Sequence, residues 1–386
     1  MSHPFRDVAI VGVHNTAQAR RLPGRHDSSS IALEAALGAL SDAGIAAGEV
    51  DAVVGAASAD AILELGLGPS IRRPSALGIA AILDAAALVT TGQSRVALAL
   101  AGGAGVLQDT VAAPWTTPPN ELVAGFGLFT AAEFALMARR HMITYGTTER
   151  QLATAAAVVR NNGHVNPEAV YYGRGPFTAE DILASPLVAE PFHLLDCATT
   201  SEGGTAIVLV HADRAKDEPR AVWILGGGSD AYGPAYTVAP VWDFSGRPGA
   251  DPAGWVGARA AAASFAMAGL GPADVDVAEL YDPFSFEIIR QLEAYGFCAR
   301  GEGGPMVESG AIAPGGSLPV TTDGGTMSFS HAGMAAQQYQ RVVRGVQQIR
   351  GECPTSQVPG AAVALCSNGG SGALFTDVLL LGPARP

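Results

Sequence analysis

Ala43-Gly-Ile-Ala-Ala-Gly-Glu-Val-Asp-Ala-Val53 and Ala268-Gly-Leu-Gly-Pro-Ala-Asp-Val-Asp-Val-Ala278 align without a gap, at an offset of 225 residues. In each copy an Ala-rich helix stops at glycine, a short turn follows, and an apolar strand begins. A second pair supports the repeat: Arg95 to Gly103 and Gly360 to Gly370 both read as buried strands that close on paired glycines. Two related α/β halves, each lending strand-end loops to one shared site, are the simplest reading.

The rest of the chain fits around this repeat. At 386 residues, 48% hydrophobic and 15% charged, it is long enough for two cores. A net charge of −13 argues against nucleic acid as a general partner. No charged segment followed by an apolar one opens the chain, and its apolar runs fall short of the ~20 residues of a membrane span, so a cytoplasmic protein is expected. Cys197, Cys298, Cys353 and Cys366 are scattered, with neither metal-ligand spacing nor a secreted disulfide pattern. Asp7 to Val13 and Val50 to Gly55 read as strands, and Ser28 to Ala43 as a helix with Ser28, Ser29 and Ser30 as available caps. Pro114 to Pro191 is more polar and aromatic, with helices expected over Thr130–Tyr145 and Glu149–Asn161, and reads as an insert or cap. Its loops Asn161–Pro167 and Tyr171–Pro176 are of the kind that line a mouth.

Four stretches carry residues with chemical capability. Arg73-Pro-Ser-Ala-Leu-Gly78 opens an apolar helix that ends at Gly92, so backbone N–H groups and the Ser75 hydroxyl are expected at its N-terminus. Serine is a weak nucleophile without a base beside it. Glu279-Leu-Tyr-Asp-Pro-Phe-Ser285 leaves the strand of the second repeat, where ligand sites on α/β sheets lie, and offers Tyr281 and Asp282. A packed tyrosine with a bonded hydroxyl explains the same residues. Gly324-Gly-Thr-Met-Ser-Phe-Ser-His-Ala-Gly-Met334 carries His331 into a helix whose dipole would keep the imidazole neutral; a histidine that caps the helix end is the alternative. Leu365-Cys-Ser-Asn-Gly-Gly-Ser-Gly372 can bring the Cys366 thiol and the backbone of Gly369 and Gly370 to one oxyanion, or can simply bury an inert thiol.

Together these blocks resemble the thiolase superfamily, in particular its sterol-carrier or lipid-transfer thiolase-like branch, over nearly the whole chain. Ser75-Ala-Leu-Gly78 through Gly92 looks like the family's nucleophile helix, and Gly127 to Met142, Pro191 to Cys197 and Ser201-Glu-Gly203 are similar to its middle blocks. Tyr281-Asp-Pro-Phe284 corresponds to the His-Asp-Cys-Phe block, Ser330-His-Ala332 to Gly-His-Pro, and Cys366-Ser-Asn-Gly369 to Cys-x-Gly-Gly. The resemblance implies an α/β thiolase fold, two βαβ halves forming a layered α/β/α/β/α body with an inserted cap. Residues 1–113 and 191–225 would form the N-terminal half, 114–190 the insert, and 226–386 the C-terminal half.

Two departures direct the functional expectation. Thiolysis and Claisen condensation need a thiolate where this chain has Ser75, and Tyr281 stands where this branch has histidine. Steroid side-chain aldolases of the same fold resemble that pattern, which implies retro-aldol cleavage of a β-hydroxyacyl-CoA with a bulky, steroid-like side chain. Tyr281 or His331 would take the hydroxyl proton, while the other, with Cys366 and the Gly369–Gly370 backbone, steadies the enolate. Asp282 would orient a neighbour, and Ser75 would remain as a binding wall or oxyanion contributor. The resemblance further implies a coenzyme A thioester as substrate, no bound cofactor or metal, a homodimer, and a partner subunit built from a zinc ribbon and an OB-fold. An acyltransferase using Ser75 or Cys366, and a non-catalytic lipid-binding or partner-stabilising scaffold, are the competing readings. For the CoA phosphates Arg20-Arg21, Arg72-Arg73 and Arg139-Arg140 are candidates.

Overall fold

The computed structural model describes residues 3–24, 27–74, 78–104, 130–231, 255–370 and 375–386; Ser75 lies outside them. The first half contains β1 (Val8–Asn15), α1 (Ser28–Ala43), β2 (Ala52–Val54), α2 (Ser58–Glu64), β3 (Ile71–Arg73), α3 (Gly78–Thr90) and β4 (Val96–Gly103). There follow α4 (Thr130–Tyr145), α5 (Glu149–Val165), α6 (Ala179–Ala184) and the short strands β5 (Leu187–Ala189), β6 (Phe192–His193) and β7 (Thr200–Ser201). β8 (Gly203–His211), α7 (Ala212–Ala215) and β9 (Val222–Ala231) return to the body. The chain then runs through α8 (Ala258–Ala268), β10 (Val277–Glu279), α9 (Ser285–Ala294), α10 (Gly303–Glu308), β11 (His331–Ala332), α11 (Gly333–Arg350), β12 (Ala364–Gly370) and β13 (Phe375–Gly382).

Local chemistry explains where these elements start and stop. The Asp27 carboxylate accepts from the N–H groups of Ser29 and Ser30 at 3.1 and 2.9 Å and so caps α1. The three serines expected as caps lie inside the helix, because a stronger acceptor precedes them. α1 ends at Gly44 with φ 61°, and α8 ends at Gly269 with φ 68°, the left-handed conformation that glycine adopts at little cost. Short 3₁₀ turns at Ala47–Glu49 and Pro272–Asp274 then lead into β2 and β10.

A single nine-stranded sheet has the order β10-β12-β13-β9-β1-β8-β4-β2-β3. β2 runs parallel to β4, which is antiparallel to β8, itself antiparallel to β1. β10, β12, β13 and β9 repeat that sequence of directions. The sequence repeat is therefore a repeat of topology. β9 pairs with β13 from Trp223 to Ala231, so residues 223–225, expected in the N-terminal half, belong to a strand of the C-terminal one. The two half-sheets join where Ala9 meets Trp223 and Ile10 meets Val222.

Apolar faces set the layers. α1 packs Ala32, Ala35, Ala36 and Ala39 on the outer face of the first half-sheet, and α8 and α9 cover the outer face of the second. α3 and α11 lie between the halves, with Ile79, Ile82, Val342 and Val346 among residues of both. The result is the layered α/β/α/β/α body. Glycine permits the closest contacts: a Cβ on Gly12 of β1 would fall 2.2 Å from the Ala39 carbonyl oxygen, and one on Gly226 of β9 would fall 2.2 Å from that of Ser264. Among the described residues no helix is long and apolar enough to cross a membrane.

Gly12→Ala should lower stability by about 1–3 kcal/mol in urea unfolding, because helix backbone cannot yield to the new methyl group. Gly48→Ala, whose Cβ meets nothing within 4 Å, should stay within about 0.5 kcal/mol of wild type.

Candidate active site

β10 delivers its exit loop into the interior. The Tyr281 N–H donates to Ser367 Oγ at 3.1 Å, and its carbonyl accepts from Gln291 Nε2 at 2.5 Å. Ser367 Oγ donates in turn to Gln291 Oε1 at 2.5 Å, closing a triangle between the exit loop, α9 and β12. With its backbone fixed on both sides, Tyr281 sets its ring beside Gly369, where an added Cβ would be 3.5 Å from Cδ1. The residue is 5% exposed.

Asp282 works differently from its neighbour. Its fully buried carboxylate accepts from the N–H groups of Thr326 at 2.7 Å and Met327 at 3.0 Å, while its carbonyl accepts from Thr326 Oγ1 at 2.7 Å. Burial, aided by the charge of Asp323, pushes its pKa up to about 7 against the opposing pull of Arg341 and the two N–H donors. Its partners make it a strap on the Gly-rich loop. A side chain on Gly325 would collide with it, since a Cβ there would lie 2.1 Å from Oδ2.

The loop is held from its other sides by α5 with the residue that follows it and by α11. Asn162 Nδ2 donates to the carbonyls of Val320 and Thr321, Asn166 Nδ2 to that of Asp323, and Arg160 Nη1 to that of Met327. From below, Arg341 grips Asp323 through two bonds of 2.6 and 2.8 Å, and Glu279 accepts from Thr322 Oγ1 at 2.6 Å. Burial and the nearby Asp323 raise the Glu279 pKa to about 7, opposed by Arg344 and Arg341.

His331 emerges from this clamped loop as the first residue of β11, which pairs in parallel with β7. Its N–H donates to Ser201 Oγ at 2.7 Å, and that hydroxyl also meets Ser330 Oγ at 2.9 Å. Burial lowers its pKa to about 4. The imidazole is neutral at pH 7.

Cys366 departs from expectation. Successive residues of a strand face opposite ways. On β12, Ser367 and Gly369 face Tyr281, whereas Cys366 faces α11, where a Cβ on Gly345 would sit 2.5 Å from its sulfur. The thiol is enclosed in the apolar central layer and burial pushes its pKa well above the ordinary value, so it neither reaches the Tyr281 loop nor ionises. Asn368 shares that face nearer the strand end; its Nδ2 donates to Gln338 Oε1 at 2.9 Å, and both side chains abut the N-terminal Gly78 of α3. Gly369 and Gly370 end β12 in register with Thr376 and Phe375. Sequence reasoning passed over Ser367, Gln291, Asn368 and Gln338. Strand alternation would have exchanged Ser367 for Cys366; the two glutamines carry no local signal.

Of the three arginine pairs, Arg20 belongs to a loop beside β7, donating to the Thr200 carbonyl at 2.5 Å. Arg72 bonds Ser58 and Arg139 pairs with Glu190. A groove of about 260 Å³ opens nearby, lined by Asn15–Gln18, Pro167, Glu168 and Phe329. Among the described residues no group of His, Cys, Asp and Glu has the makings of a metal site.

Comparison with known proteins adds a consistent set of relatives. Residues 250–382 match the thiolase C-terminal domain-like family. The chain is 32% identical to the steroid side-chain-cleaving aldolase of Thermomonospora curvata, over 98% of both chains. It is 33% identical to the 17-hydroxy-3-oxo-4-pregnene-20-carboxyl-CoA lyase of Mycobacterium tuberculosis, over 92% of this chain and 94% of that one. Identity is also 32% to an acetyl-CoA acetyltransferase of Methanothermobacter thermautotrophicus, over 95% and 97%. Among solved structures, the Ltp2-ChsH2(DUF35) aldolase matches with a TM-score of 0.84 at 30% identity, covering 98% of both chains.

The lowered pKa of His331 has a definite sign in stability. Its contribution is complete above pH 6.5, the ordinary value, and is lost as pH falls toward about 4. Between those pH values His331→Gln should therefore lose up to about 3 kcal/mol less stability than wild type, read by urea unfolding at each pH.

Proposed function

The chain belongs to the thiolase superfamily, and from that premise we propose that it is an acyl-CoA aldolase, a carbon–carbon lyase acting on a β-hydroxyacyl-CoA with a bulky, steroid-like side chain. One observation carries the choice of lyase over acyl transfer: serine stands at position 75 and tyrosine at 281, and the Cys366 thiol is shut in the apolar layer. Covalent acyl transfer needs a thiolate that none of these groups supplies. Retro-aldol cleavage needs none.

In the cleavage step the β-hydroxyl O–H bond breaks and its electrons form the new C=O. The Cα–Cβ bond breaks in turn, its pair passing into the thioester to give an enolate that takes a proton at Cα. Tyr281, acting as its phenolate, accepts the hydroxyl proton and returns it to Cα, which leaves the phenolate ready for the next cycle. His331, a neutral imidazole with too little basicity for that task, donates an N–H to the thioester oxygen as charge develops there. The Gly369–Gly370 backbone beside the Tyr281 ring contributes further donors. Asp282 acts through the loop that it straps, as a positioning residue. The CoA moiety enters along the groove at Gln18 and Phe329, with Arg20 and Arg21 near its phosphates.

Assembly follows the same reading. The solved relative is named as a complex of Ltp2 with the DUF35 protein ChsH2, and a zinc-ribbon/OB-fold partner of that kind is proposed for this chain. β3 ends the sheet with a half-exposed edge, which supports a homodimer formed by pairing with the same strand of a second copy. The enzyme works in the cytoplasm on soluble CoA esters.

Incubation with (1-hydroxycyclohexyl)acetyl-CoA should give cyclohexanone and acetyl-CoA, without consumption of free CoA, in product mass spectra. Tyr281→Phe should lower kcat by at least about 100-fold, and Ser367→Ala, which frees the Tyr281 backbone, by about tenfold. Cys366→Ala should stay within about threefold of wild type. Unchanged turnover in both Tyr281→Phe and His331→Ala would show the site to be wrong, and an acyl adduct on Ser75 would identify a transferase.

A further inference from the structure

The first turn of α4 contains a costly arrangement that the cleavage chemistry does not use. Glu133 is 1% exposed, and among the described residues neither of its carboxylate oxygens has a hydrogen-bond partner. Thr130, three residues earlier and therefore on the same helix face, also has a shielded hydroxyl without a partner among the described residues. Buried polar atoms are satisfied almost everywhere in folded proteins, and leaving a carboxyl unpaired costs stability. Burial accordingly holds its pKa up at about 7.

The position of this pair ties it to the reaction site. Phe134, the next residue on α4, has its ring 4.9 Å from that of Phe284, and Phe284 stacks at 5.1 Å on Phe192. Phe284 lies three residues beyond Tyr281, a span of at most ~10 Å of chain. From Tyr281 the chain thus leads through Phe284 and its ring contacts to α4, the helix that carries Glu133 and Thr130. That order matches an acyl group with a reactive thioester end, an apolar body and a polar tip.

We propose that Glu133, with Thr130, is a specificity-determining pair that hydrogen-bonds a hydroxyl group on the distal part of the acyl chain. The assignment deepens the aldolase reading and rests on it for the location of the acyl group. The carboxyl accepts from the ligand hydroxyl, and the Thr130 hydroxyl completes the contact as donor or acceptor. A site built this way should discriminate sharply against an acyl group that lacks the hydroxyl, because two buried groups would again be left unpaired.

The test uses CoA thioethers, which lack the thioester carbonyl and cannot be cleaved. S-alkyl-CoA and S-(ω-hydroxyalkyl)-CoA with chains of six, eight and ten carbons would be titrated calorimetrically into the wild-type protein, Glu133→Leu and Glu133→Gln. Wild type should favour the hydroxylated probe by at least about tenfold at one or more lengths. Glu133→Leu should abolish that preference, leave affinity for the plain alkyl probe within about twofold, and raise Tm because an unpaired buried carboxyl is gone. Glu133→Gln, which keeps one acceptor oxygen, should retain part of the preference. No preference in wild type, a preference that survives Glu133→Leu, or loss of folding in Glu133→Leu with full preference in Glu133→Gln would each overturn the assignment. Binding and cleavage fail separately: a hydroxyl preference without turnover of β-hydroxyacyl-CoA refutes the aldolase and not the Glu133 pair, whereas turnover without the preference refutes only the pair.

Discussion

The paired bonds between Arg341 and Asp323, made where neither side chain has access to bulk water, are the constraint on which the site depends. A charge taken from water is tolerated only when its partners are complete, and here they extend into a network. Arg341 serves Asp323, Glu279 holds Thr322, and Arg344 donates to the Thr322 hydroxyl and carbonyl. These charges pin the start of the loop that ends at His331. Asp282 pins its middle, and Arg160, Asn162 and Asn166, on α5 and at its C-terminal end, pin its outer side. A loop rich in glycine would otherwise sample many conformations, and the side chain at its end, His331, would lose orientation.

The two central helices show how the repeated halves have diverged. α3 is apolar around much of its circumference, as a helix enclosed by two sheets should be. α11 occupies the equivalent place in the second half yet buries Gln337, Gln338, Gln340, Arg341, Arg344 and Gln348. That polar face has no reason to exist for packing alone; it carries the charge network and the Gln338–Asn368 contact at the site. The symmetry of the topology therefore supports an asymmetric division of labour, with one helix supplying fill and the other supplying fixed charge.

Elements with strong local signals were legible in the sequence. The helix over Thr130–Tyr145 and the end of α1 at Gly44 follow directly from periodicity and a glycine stop, and the repeat located β2 and β10 with the same offset. The exit loop with Tyr281 and Asp282 was also in view. What escaped depends on contacts between distant segments. Which of Cys366 and Ser367 faces Tyr281 is fixed by the register of β12 against β10 and β13, and Gln291 becomes relevant only once α9 folds back on that strand. The cap of α1 was misjudged by one residue, because three serines in a row concealed the better acceptor before them. The boundary between the halves was drawn inside β9, a strand whose partner lies far ahead in the chain.

β1 has a further consequence, for the order in which the protein is made. It is the eighth residue onward of the chain, and its main partner, β8, begins at Gly203 and ends at His211. Until the ribosome has released that segment, the first strand of the sheet stays apolar with both edges open. The central strand of the finished molecule is thus the one that waits longest for its neighbours, and the nascent chain must be protected through most of the synthesis of its first half. Once β8 arrives, β1 is flanked on one side; β9, which follows after a short connection, closes the other. The first half can then complete its sheet before the residues of the Gly-rich loop exist, leaving a finished surface on which the second half assembles.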